Sequence, residues 1–113
     1  MPRISISEDT APAKVVAAAK RLGTNIRTAR KRRRIRQEDL ATQVGITVQT
    51  LRRVESGSLG TGLGAYIGTL WALGLEGQLA HLADPATDLE GQAVDAVHRG
   101  ERVRPSGALS NDF

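Results

Sequence analysis

Gln37-Glu-Asp-Leu-Ala-Thr-Gln-Val-Gly45-Ile-Thr-Val-Gln-Thr-Leu-Arg-Arg-Val-Glu-Ser-Gly57 reads as two short helices joined by a tight turn. Leu40 and Val44 are four residues apart and so share one face of the first helix. Ala41 is small enough to let the two helices approach closely. Gly45 adopts, at no steric cost, the left-handed conformation that ends a helix. Thr47 offers a hydroxyl to cap the next one. Leu51 and Val54 then face inward, and Val48, Gln49, Arg52 and Arg53 stay on the outer side.

Two helices so joined form a helix-turn-helix, whose second helix lies in the major groove of DNA. The alternative is a plain helical hairpin with no nucleic-acid role. Charge favours DNA. Residues 14–53 hold twelve Lys and Arg against two acids, Glu38 and Asp39, a local net charge of +10. The rest of the chain has four basic and ten acidic residues, a net of −6. A cationic face and an acidic remainder are expected. A solvated basic helix, or one that binds RNA or acidic proteins, would share that charge. Its place directly before the helix-turn-helix pattern favours duplex DNA.

The chain has 113 residues, enough for one small domain with tails. No apolar run is long enough to span a membrane. Met1-Pro-Arg-Ile-Ser-Ile lacks the apolar core of a signal peptide, so a cytoplasmic location is expected. There is no cysteine, hence no disulfide framework and no thiolate metal site. His81 and His98 are seventeen residues apart without further metal ligands around them. No nucleophile-base pair stands out. The expectation is a protein that is not an enzyme and needs neither metal nor cofactor.

Residues 1–11 read as a mobile arm, 12–84 as the DNA-binding domain and 85–113 as a C-terminal extension. Arg3-Ile-Ser-Ile-Ser7 alternates apolar and polar, the pattern of a strand if a partner edge exists. A helix begins near Pro12, capped by Asp9 or Thr10, and runs to about Arg33. Val15, Ala18, Leu22, Ile26 and Ala29 are its core candidates. Gly23 leaves two options, one helix or two divided there.

Beyond Gly57 a glycine-rich loop leads into a helix over about 63–73. Gly62-Leu-Gly-Ala-Tyr-Ile-Gly68 superficially suggests a dinucleotide site, but no strand precedes it and the last spacing is wrong. Residues 76–83 read as a further short helix stopped by Asp84-Pro85. Ile67, Leu70, Trp71, Leu75, Leu79 and Leu82 are a large apolar supply for so small a chain. Some must fill the core; a surplus at Trp71, Leu75, Leu79 and Leu82 would suit a dimer interface. Residues 89–98 read as a weak helix and 100–113 as a tail. Phe113 is a candidate anchor for a partner, or an incidental residue.

The arrangement over residues 22–83 resembles the lambda-repressor-like, XRE-type DNA-binding domain, an all-α fold of five helices. Leu22-Gly-Thr-Asn-Ile-Arg-Thr-Ala-Arg30, Gln37-Glu-Asp-Leu-Ala41 and Arg53-Val-Glu-Ser-Gly57 carry the likeness. The resemblance implies that Gln37, opening the second helix, holds a phosphate. It implies that Val48, Gln49 and Arg53 read base edges. Gln49 can pair with adenine, Arg53 with guanine, and Val48 with a thymine methyl. It also implies a structural ion pair of Arg30 with Glu55. Arg36 departs from the pattern, which usually has a small capping residue there. Asp39 is then expected to satisfy the helix start. Arg36, Lys31, Arg34, Arg52 and Thr47 are the further phosphate candidates.

Ala72-Leu-Gly-Leu75, Gln78-Leu-Ala-His-Leu-Ala-Asp-Pro85 and the ending Asn111-Asp-Phe113 are similar to HipB-type antitoxins. That narrower resemblance implies a homodimer on an inverted-repeat operator and a HipA-type kinase toxin as partner. The alternatives are a stand-alone XRE-type regulator, and a protein or RNA interaction module built on the basic first helix.

Overall fold

The computed structural model describes residues 6–101. Phe113 and all but the end of the Arg3–Ser7 segment lie outside the described residues. The described residues are helical, with no strand among them. The chain divides into two compact units, Met1–Leu79 and Ala80–Phe113.

The first unit contains α1 (Ala13–Arg32), α2 (Gln37–Val44), α3 (Val48–Glu55) and α4 (Leu63–Ala72). Its core is Ile26, Leu40, Ala41, Leu51, Val54, Tyr66, Leu70 and Leu73, all buried. Truncating a leucine such as Leu40 or Leu51 to alanine would cost ~2–5 kcal/mol. Tyr66 donates its hydroxyl to the Ser58 carbonyl at 2.6 Å, which ties α4 to the loop after α3. Burial raises the pKa of that phenol above its ordinary 10.0.

α1 starts in an alanine-rich stretch, the best helix former available. Pro12 precedes it without offering a side-chain cap. Neither Asp9 nor Thr10 takes that position; Thr10 instead closes a turn back to Ser7. The helix does not break at Gly23. There it crosses the end of α3 so closely that a Cβ on Gly23 would stand 2.6 Å from the Glu55 carbonyl oxygen.

α1 buries Gly23, Ile26 and Arg30. Ala29 packs partly against the core. Val15 and Leu22 are about two-fifths exposed and Ala18 is exposed, so these three are not core. The periodicity marked one face of α1 but not how far its neighbours extend along it. Leu22 instead lines an open apolar groove with Ala19, Leu59, Leu63 and Tyr66.

All four helices end through a left-handed residue. Gly45, Gly57 and Gly74 serve α2, α3 and α4, and Arg34 serves α1 with φ +58°. The next residue's N–H then reaches back across the last turn, Ile35 to Arg30 and Ile46 to Ala41 among them. α3 is capped at its start by Thr47, whose Oγ1 accepts the Thr50 N–H at 3.0 Å. The turn between α2 and α3 is therefore closed at both ends.

After α4 the chain forms a 3-10 helix, Glu76–His81, in place of the longer helix expected over 76–83. None of its residues is fully buried. So short a segment with a glycine at 77 has little apolar face to hold a regular α-helix.

In the second unit, Asp84 caps a turn at Pro85 through the Ala86 N–H. α5 (Leu89–Glu101) is capped by Asp88 and is longer than the sequence suggested. Arg99 pairs with Asp95 one turn earlier, and no described side chain of α5 is buried.

Candidate nucleic-acid interface

Glu55, the last residue of α3, holds three helices together. Its Oε2 accepts Arg30 Nε at 2.6 Å, and Oε1 accepts Arg30 Nη2 at 3.1 Å. Oε1 also accepts Gln37 Nε2 at 2.9 Å. Arg30 Nη1 donates to the Ile35 carbonyl at 2.9 Å, fixing the link between α1 and α2. Both charged side chains are buried. Burial of charge is costly, but here it is compensated by a bidentate pair and an amide donor. Removing one partner would leave the other charge stranded, at ~3–5 kcal/mol.

That frame aims α3 outward. Gln49, Arg52 and Arg53 are exposed. Gln49 and Arg53 are four apart and share a face. Arg53 lines a shallow depression with Thr50, Ser58, Gly60, Thr61 and Gly62. Val48 sits differently from Gln49. It is half-buried and packs on the core, so only part of it is open to a base.

Gln37 is engaged on both sides of its amide. It donates to Glu55 and accepts Arg52 Nε at 3.4 Å. Arg36 stands at the start of α2 without a side-chain cap. Asp39 does not cap that start; its carboxylate accepts Arg36 Nε at 3.3 Å in an exposed pair. Such a pair contributes little to stability. Lys31 and Arg34 are exposed, and the Thr47 hydroxyl is committed to Thr50.

Arg27, not selected from the sequence, lines a shallow pocket with Gln37, Arg52, Glu55 and Ser56. A signal was available, because Lys20, Arg27 and Lys31 are seven and four residues apart on α1. That spacing is a helical stripe.

The candidate interface residues differ in burial. Trp71 and Leu82 are exposed, at 60% and 69%. Leu75 and Leu79 pack partly against the core of their own unit. Trp71 continues an exposed line on α4 with Leu63 and Ile67, each four residues on from the last.

Two short helices at a closed turn, with a polar outward face on the second, define a DNA-binding helix-turn-helix. Residues 26–61 match the family described as helix-turn-helix, from the second half of α1 through the loop after α3. This segment is a helix-turn-helix of the XRE type. No curated protein matches the chain. Among the described residues no helix is long and apolar enough to cross a membrane. No group of three or more His, Asp or Glu is placed to hold a metal ion among them.

Proposed function

We propose that the protein is a sequence-specific transcriptional repressor that binds an inverted-repeat operator as a homodimer. One observation carries this reading. Gln49 and Arg53 stand exposed on one face of α3, while the C-terminal end of that helix is clamped by the buried Arg30–Glu55–Gln37 network. Two readers on a rigid support suit base recognition in the major groove. In a homodimer two such helices would meet successive grooves ~34 Å apart. The exposed Leu63, Ile67 and Trp71 line supports association, and it moves the emphasis within the apolar set away from Leu75 and Leu79. Repression follows from competition with polymerase for the promoter.

The narrower role is that of an autoregulating antitoxin for a HipA-type kinase toxin. It rests on the HipB-type resemblance over residues 72–85. A stand-alone regulator would have the same DNA face.

Fluorescence anisotropy with the duplex upstream of the protein's own gene, against a scrambled duplex at two salt concentrations, tests the first reading. A preference that survives the higher salt supports it. Equal, salt-sensitive binding to both would leave only the electrostatic attraction and sink it. Sedimentation equilibrium tests the dimer. Co-expression with a kinase-like neighbour tests the antitoxin role, which fails if the neighbour's toxicity is unrelieved.

A further inference from the structure

We propose that Arg27 is a DNA-phosphate ligand, which grips one backbone phosphate together with Arg52 and Gln37 beside the recognition helix. The proposal rests on the DNA reading above and adds to it a contact and a location.

Three helices converge at this pocket. Arg27 comes from α1, Gln37 opens α2, and Arg52, Glu55 and Ser56 come from α3 and its end. The acid in the floor does not repel an anion. Glu55 is buried, neutralised by Arg30, and its oxygens already accept three N–H groups. Two guanidinium groups remain uncompensated above it. Arg27 has no ion pair or hydrogen-bonding side-chain partner among the described residues. Among the described residues Arg52 is held through Nε by the Gln37 amide and its terminal nitrogens are unclaimed.

Paired guanidinium groups are the favoured ligands for a phosphate oxygen pair. The first amides of α2, the helix that Gln37 opens, also lack a side-chain cap.

The pocket's position selects a phosphodiester over a free anion. Arg52 belongs to the same helix as the base readers, one residue from Arg53. The stripe of Lys20, Arg27 and Lys31 continues along α1, as a polyanion backbone would require. Lys20 lies beside Gly57, at the end of α3. Arg32 and Arg33 do not line this pocket. Arg32 and Arg33 line a separate depression with Asn25, Thr28, Leu75 and Gln78 on another side of α1. Arg27 and the Arg32–Arg33 pair thus line different depressions, and that of Arg27 adjoins α3.

The test uses the full chain and two duplexes, the one upstream of its gene and a scrambled one, titrated by anisotropy across a potassium chloride series. Arg27→Ala should weaken both duplexes alike and make the slope of log K against log salt shallower by about 0.9, one phosphate contact. Arg32→Ala should leave the slope at the wild-type value. A single methylphosphonate that weakens wild-type binding should have no further effect on Arg27→Ala.

If the wild type binds and Arg27→Ala keeps its slope, the Arg27 contact is wrong while the DNA reading stands. If Arg27→Ala and Arg32→Ala lower the slope equally, the pocket is not a site and the proposal falls. If Arg27→Ala loses inorganic phosphate but not duplex, the ligand is a free anion and the proposal falls. If the wild type binds neither duplex, the DNA reading itself fails. Arg27 is exposed and has no side-chain partner among the described residues, so the variant's thermal melt should match the wild type's.

Discussion

Gly23 in the middle of α1 lies against Gly57, the residue that closes α3. A methyl group on Gly23 would stand 2.6 Å from the Gly57 nitrogen, and one on Gly57 would meet the Ala19 carbonyl. Gly57 also has φ +76°, a conformation that other residues rarely adopt. Backbone thus packs on backbone where the first helix passes the recognition helix.

Gly23→Ala should therefore destabilise the domain, although alanine is the better helix former by ~1 kcal/mol. All three nearest atoms are main chain and cannot swing aside. A net loss of about 1–3 kcal/mol is expected from overpacking. Urea denaturation of the two proteins decides it. A gain in stability would show that the crossing is looser than described.

Arg34→Gly should act in the opposite direction. Arg34 ends α1 at φ +58°, in the role that glycine fills at the ends of α2, α3 and α4. Relief of the left-handed strain is worth ~1 kcal/mol, partly offset by the greater freedom of glycine in the unfolded chain. A higher melting temperature with weaker duplex binding is the expected pair of results. A lower melting temperature would mean that the Arg34 side chain itself stabilises the fold.

Gln49→Ala and Arg53→Ala should each relax base preference at one operator position, by ~1–3 kcal/mol for a lost bidentate contact. Lys31→Ala should weaken all duplexes about equally and reduce the salt slope. Binding to a randomised operator library separates the two behaviours. Identical profiles for all three variants would remove the distinction between readers and positioners.

Tyr66→Phe should cost ~1 kcal/mol at neutral pH, the net worth of one hydrogen bond. Its effect should also depend on pH. The folded phenol has its pKa raised above 10.0 by burial. Its neutral form is thus favoured in the folded state, and that contribution is complete below pH 10. Above pH 10 the unfolded chain loses the proton first, so stability falls until the folded pKa is passed. Denaturation midpoints followed from pH 8 to 11 should drop more steeply for the wild type than for Tyr66→Phe. Parallel curves would show that Tyr66 does not contribute to the alkaline loss.

Much of the fold was legible locally. The turn at Gly45, the cap at Thr47 and the inward set Leu40, Leu51 and Val54 are properties of neighbouring residues. Helical period and turn chemistry act over a few positions, so they can be read from order alone. The 3-10 geometry of Glu76–His81 was not legible, because so little of that segment is buried.

The sequence by itself determined an all-α domain, a closed helix-turn-helix with Gln49 and Arg53 outward, and a basic first half. Only the tertiary structure decided what each face of α1 meets. It made Gly23 a crossing point rather than a break, left Val15 and Leu22 outside the core, and drew Leu75 and Leu79 partly inward. It brought Arg27 to Gln37 and Arg52, and it carried Arg32 and Arg33 to another surface. Periodicity defines a face relative to its own helix axis. What lies against that face depends on how helices distant in sequence pack, and packing is set by the whole core at once.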